Sequence, residues 1–150
     1  GGERICFLLR HRKKFQRAAW RVSSQISEPC VHQFAGRTRL LAQESASITL
    51  AFEAFALSVE EGRYYDAHED LEHLWFPRRF EEDDEVKLWK GFINAAVSFE
   101  LIKRNRPEAS HKAWQNYLKY SPLLKHLETP HKELYGKIAQ LIEMIKAKHV

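Results

Sequence analysis

From about Glu85 to Arg104 the chain carries Leu88, Trp89, Phe92, Ile93, Ala95, Ala96, Val97, Phe99 and Ile102. At helical spacing these side chains cover most of a helix's circumference. A helix that is apolar on nearly every side has to be surrounded, so the pattern predicts a central, largely buried helix with others packed about it. Gly91 inside it costs about 1 kcal/mol of helix propensity relative to Ala. A close helix crossing at that point would account for it.

The flanking segments supply the surroundings. Ile48, Phe52, Phe55 and Val59 fall at i, i+4, i+7 and i+11, one helical stripe, with Ser45 and Ser47 as N-cap candidates and Gly62 as the C′ residue. A second helix runs from about Tyr64 to Phe76 and is stopped by Pro77. Arg78 to Asp84 reads as a charged loop whose acids favour the start of the central helix. Asn105-Arg106-Pro107 is a turn with Pro107 at N1 of a fourth helix, which runs to about Tyr120. Ser121-Pro122 breaks it, Leu123 to Leu127 reads as a short turn, and Thr129-Pro130 reads as N-cap and N1 of the last helix, with Leu134, Ile138, Leu141 and Ile145 on its stripe. No stretch alternates in strand fashion and there is no hairpin turn signal. The fold class is all-α: a compact bundle of about five antiparallel helices over residues 45–150, preceded by a basic extension over residues 1–44.

Charge sets that extension apart. Residues 1–50 hold nine Lys and Arg against three acids, and residues 51–150 hold fifteen against seventeen. The overall pI near 9.1 therefore says little about nucleic-acid binding by the main domain. Arg4 to Val22 has helical spacing, with Ile5, Leu8, Phe15, Ala19 and Val22 apolar. Three readings stay open for residues 1–44: a helix packed on the main domain, an Arg-rich targeting segment, or an arm for nucleic acid or an anionic surface. Cys6 and Cys30 are the only cysteines and form no CxxC, so a reducing cytoplasm is expected. No apolar run reaches the roughly 18 to 20 residues of a membrane span.

The second helix carries the candidate chemistry. At about 100° per residue, Ala67, Leu71, Leu74 and Trp75 share a face with Tyr64, and His68 and Glu72 fall inside that apolar sector one turn apart. Tyr65 lies at its edge, Glu69 on the rim, and Asp66, Asp70 and His73 opposite, as a solvated face. A His and a carboxylate at i, i+4 can touch. Two readings stay open. One is a proton-transfer or metal-binding site with His68, Glu69 and Glu72 as catalytic candidates. The other is a buried polar network in which His68, Glu72 and the tyrosines satisfy one another. Asn94 and Glu100 on the central helix are further members, Glu100 either approaching His68 or reaching solvent. No metal or cofactor is expected. The stretch from His68 has Glu72 where H-E-x-x-H has its second His, and the acid-x-x-His pairs Asp70/His73, Glu108/His111 and Glu128/His131 do not share an inward face.

Gly62-Arg63-Tyr64-Tyr65-Asp66-Ala67-His68-Glu69-Asp70-Leu71-Glu72-His73-Leu74-Trp75 resembles the signature of a small bacterial and archaeal helical family, domain-of-unknown-function family 309, approximately G-x-Y-(Y/F)-E-x-H-E-x-L-E-x-x-W. Its second block, L-x-Q-G-(L/I/V)-I-Q, corresponds to Leu88-Trp89-Lys90-Gly91-Phe92-Ile93-Asn94, and the resemblance spans about residues 48 to 125. It implies a compact all-α fold and gives weight to His68, Glu69, Glu72 and Trp75. It supplies no reaction, because the family's role is not established. The chain departs from the pattern with Lys90 and Asn94 where Gln is usual and Glu100 where His is often found. Tyr64, Tyr65, His68, Glu69, Glu72, Trp75, Lys90, Asn94 and Glu100 together form the candidate binding cluster.

The functional expectation is a non-enzymatic module that binds a partner or ligand, with His68 and Glu72 largely structural. The alternatives are a metal-dependent or acid–base hydrolase-like enzyme using His68, Glu69 and Glu72, and an anion-binding protein acting through residues 1–44. The partner is open, a homo-oligomer among the readings.

Overall fold

Two residues in the left-handed region set the turns on either side of the candidate site, Gly62 at φ +75° and Asn105 at φ +59°. In the computed structural model, which describes residues 35–149, the elements are α1 (Ala35–Glu60), α2 (Tyr64–Trp75), α3 (Asp84–Lys103), α4 (Pro107–Tyr120) and α5 (Lys132–Lys148). Short 3₁₀ turns cover Phe76–Arg78 and Ser121–Lys125. Gly62 closes α1 as expected: its N–H donates to the Val59 carbonyl at 3.1 Å, and the Arg63 N–H donates to that of Ser58 at 2.8 Å. This pairing absorbs the last carbonyls of the helix and requires a left-handed residue. Asn105 repeats the arrangement after α3: its N–H donates to the Ile102 carbonyl and the Arg106 N–H to that of Leu101, at 2.9 Å each.

Both turns reverse the chain. Lys103 Nζ reaches the Gly62 carbonyl at 3.0 Å, while Lys90 lies over the Trp75 ring, so α2 and α3 run antiparallel. Ser98 meets Ser110 and Gly91 meets Tyr120, so α3 and α4 do too. The fifth helix starts beside Ser45, through His131, and ends beside Tyr64, through His149. It therefore runs with α1 and α3 and against α4. The result is an all-α, up-and-down bundle with no strand among the described residues, and the expected fold class holds.

The central helix is α3. Apart from Lys90, every residue from Leu88 to Leu101 is buried. The helix is capped by Asp83, whose Oδ1 accepts from the N–H groups of Glu85 and Val86 at 2.7 and 3.4 Å. The crossing expected at Gly91 is present: a Cβ there would sit 2.9 Å from Tyr120 Cβ. With Ser98, about two turns further on, hydrogen-bonded to Ser110, small side chains let α3 and α4 approach closely.

Two boundaries differ from the sequence expectation. Ser45 and Ser47 are not N-caps, because α1 already starts at Ala35. Arg39 to Gln43 are good helix formers that continue the helix toward the N-terminus, and Ser45 bonds to His131 Nε2 at 3.2 Å instead. Similarly, Pro130 is not N1 of α5, which starts at Lys132. Thr129 caps the preceding turn, its Oγ1 accepting from the His131 N–H and its carbonyl from the Lys132 N–H. The expected helix over Arg4 to Val22, together with Cys6 and Cys30, lies outside the described residues. Among the described residues, no helix is long and apolar enough to cross a membrane.

Candidate functional site

The second helix presents the predicted face to the core. Tyr64, Ala67, His68, Leu71, Glu72 and Trp75 are its buried residues, and His73 is exposed. Asp70 is a partial exception to the expected solvated face. It is half-buried against α1, where the buried Ser58 Oγ donates to its Oδ2 at 2.8 Å. Burial pushes the Asp70 carboxyl above its ordinary range, and the Ser58 bond pulls it partly back.

His68 and Glu72 form the inner pair. His68 is 1% exposed and Glu72 5%, with Nε2 and Oε2 3.6 Å apart. The Tyr65 ring lies 5.8 Å from the imidazole, and Arg104 sits 5.8 Å from the Tyr65 ring on the solvent side. Burial, followed by the nearby Glu69 carboxylate, pushes the Tyr65 hydroxyl up to about 12. Glu69 is half-buried and turns its Oε1 into the interior. Glu100 is buried and accepts from Arg104 Nε at 2.8 Å. Tyr65, His68, Glu69, Glu72 and Glu100 are thus joined into one graded cluster, dry at His68 and wet at Arg104. Glu100 is itself buried and is paired with a more exposed cation, Arg104.

The other candidates sit elsewhere. The Tyr64 hydroxyl bonds to His149 Nε2 at 2.9 Å and its ring packs on Phe99. Trp75 belongs to the opposite end of α2, where Lys90 Nζ lies 5.9 Å from its ring and 5.7 Å from that of Tyr120. Buried Asn94 donates to the Lys90 carbonyl at 2.7 Å and accepts from Asn116 Nδ2 at 3.4 Å, so these bonds tie it to its own helix and to α4. Lys90 and Asn94, two of the three departures from the family pattern on α3, are thereby absorbed into packing.

Arg104, His149 and Asn116 were missed from sequence. Arg104 had a signal, being four residues after Glu100 on one helix. His149 and Asn116 had none, since they meet their partners across helices. Chemically, the cluster offers an imidazole, three carboxylates and a phenol from α2 and the facing α3. Among the described residues, no three His, Cys, Asp or Glu side chains are grouped so as to hold a metal ion. The acid-x-x-His pairs are likewise not brought into such a group.

No curated protein and no solved structure matches the chain. Residues 52–113, from the middle of α1 to the second turn of α4, match the family model described as Domain of unknown function (DUF309). The matched segment contains the whole 62–75 signature and the whole of α3, and lies inside the span read from the sequence. In its signature helix and in the central helix that covers it, this segment of the chain is therefore similar to the DUF309 family.

Proposed function

We propose that this domain is a non-enzymatic module that binds a partner or ligand on its surface, and that His68 and Glu72 hold the bundle together. The observation that carries this reading is the depth of His68. At 1% exposure, its imidazole is closed off by Tyr65 and by the helix face it belongs to. A general acid or base has to come within hydrogen-bond reach of a substrate atom, and a residue this deep does so only if α2 moves. Glu72, one turn on, shares that burial. The groups nearer solvent, Tyr65, Glu69 and Arg104, form a rim suited to contact. The absence of a disulfide framework in the cysteine count supports a cytoplasmic setting for the module.

Metal analysis of the purified full chain, alongside a His68→Gln variant, tests the reading. Gln keeps a polar group of similar reach. The expected result is that neither protein retains stoichiometric metal after dialysis and that both bind the same partners. Stoichiometric metal in the wild type that is lost in a folded His68→Gln protein would establish the enzyme-like alternative instead.

A further inference from the structure

We propose that the outward face of α1 is a docking surface for a second copy of this chain, the two α1 helices pairing antiparallel. The face is separate from the His68 cluster and from the core stripe Ile48, Phe52, Phe55 and Val59, so this proposal stands independently of the reading above. Leu40, Leu50 and Leu57 are 66%, 66% and 52% exposed. With Gln43, Ser47 and Ala54, also exposed, they recur at alternating steps of three and four along the helix. That is the spacing of a seam between two helices packed side by side. Among the described residues, the N-terminal part of α1 extends past the bundle: every residue from 38 to 44 is exposed, and the first described partners along the helix are Arg78 at Glu44 and His131 at Ser45. A helix of 26 residues is about 39 Å long, enough to give several layers of contact along one face.

Charge selects the occupant and its direction. In a two-fold pair every contact occurs twice. With Ser47 set against Leu50 of the second copy, Leu40 meets Leu57 and Gln43 meets Ala54. The flanking positions then place Arg39 against Glu60, Glu53 against Ala46 and Glu44 against Ala51. The pairing thus gains two Arg39–Glu60 ion pairs and sets no like charges opposite one another. A parallel pairing would bring Arg39 to Glu44, which Arg78 of its own copy already holds at 3.3 Å. The antiparallel arrangement leaves that bond intact and covers the overhang of each copy with the well-anchored end of the other.

Sedimentation of the full chain tests this. The expected species has twice the 17.7 kDa of one chain. Replacing both Leu50 and Leu57 by Glu is expected to raise the dimer dissociation constant by roughly 100-fold or more, since each buried leucine contributes a sizeable apolar area. Circular dichroism should show unchanged helix content, because both positions are exposed in a single copy. Arg39→Glu should weaken the dimer by about tenfold, and adding Glu60→Arg should restore it, a gain that altered folding would not produce. A wild-type chain that stays monomeric at about 100 µM, far above a micromolar dissociation constant, would overturn the proposal. So would a Leu50→Glu, Leu57→Glu protein that still dimerises, or a charge reversal that Glu60→Arg fails to rescue.

Discussion

Two of the places where the bundle buries polar groups treat them differently. At the start of α3 and α5, Trp89 Nε1 donates to the Tyr135 hydroxyl at 2.9 Å, Tyr135 donates to Glu85, and Thr129 Oγ1 donates to the same Glu85 oxygen at 3.0 Å. Each group there has a directed hydrogen-bond partner, and three elements are stitched together. Along α2, His68 and Glu72 face one another at 3.6 Å, with Tyr65, Glu69, Glu100 and Arg104 grading outward to solvent. The first region is a closed joint. The second contains more titratable groups, held by charge and ring contacts, and it has an open rim. A closed network fixes one arrangement of a core, whereas a graded cluster keeps groups accessible at one edge. The partner contact proposed above would therefore use the α2 rim and not the Tyr135 joint.

The largest expected effect separates structural from dispensable roles in the graded cluster. His68→Ala leaves the Glu72 carboxylate beside a cavity in the core, and breaking a buried pair by removing one partner costs about 3 to 5 kcal/mol. Urea unfolding measures this, and a loss below about 1 kcal/mol would show that the pair does not hold the bundle. Next in size is the closed joint. Tyr135→Phe keeps the ring that packs on Phe52 and Phe92, but removes the hydroxyl that Trp89 and Glu85 share. Leaving buried partners unmatched costs about 1 to 3 kcal/mol. A Tyr135→Phe protein less stable than His68→Ala would reverse the ranking of the two regions.

How much of this was legible in the sequence follows the same division. Contacts set by periodicity within one helix could be read: the inward turn of His68 and Glu72, the circumferential burial of α3, and the crossing at Gly91 all follow from 3.6-residue spacing and side-chain size. Glu85, Trp89, Thr129 and Tyr135 could not be read as a network, because Glu85 and Tyr135 are fifty residues apart in the chain and meet only through the stacking of α3 on α5. Tyr64 shows the same limit. Its spacing placed it with His68, yet its hydroxyl turns to His149 at the far end of the last helix. The start of α1 was misplaced because serine is both a good cap and a tolerable interior residue, and the packing of Ser45 on His131 decided between them.

The smallest effects are electrostatic and are read against pH. Burial and the Glu69 carboxylate push the Tyr65 hydroxyl from 10.0 to about 12. The folded state therefore holds this proton more tightly than the unfolded chain. The contribution is fully present below pH 10 and is lost as pH rises toward 12. Two units correspond to about 2.7 kcal/mol by linkage. Tyr65 is only partly buried, so screening by solvent reduces the expected loss to about 1 kcal/mol. Stability measured between pH 9 and 12 should fall less steeply in Tyr65→Phe, and equal slopes would place Tyr65 outside the cluster's field. Asp70, on the other side of α2, gives the opposite test. Its carboxyl is raised by burial against α1, so its ionisation is a cost to the folded state at neutral pH. Stability tied to its protonated form is present below its unfolded range and is lost as pH rises through the raised value. Asp70→Asn, which can still accept from Ser58 through its amide oxygen, should be unchanged or more stable at pH 7 by up to about 0.5 kcal/mol, with the gain disappearing near pH 3. A clear loss at pH 7 would mean that the charge itself anchors α2 to α1, and that the helix is held on both faces by titratable groups.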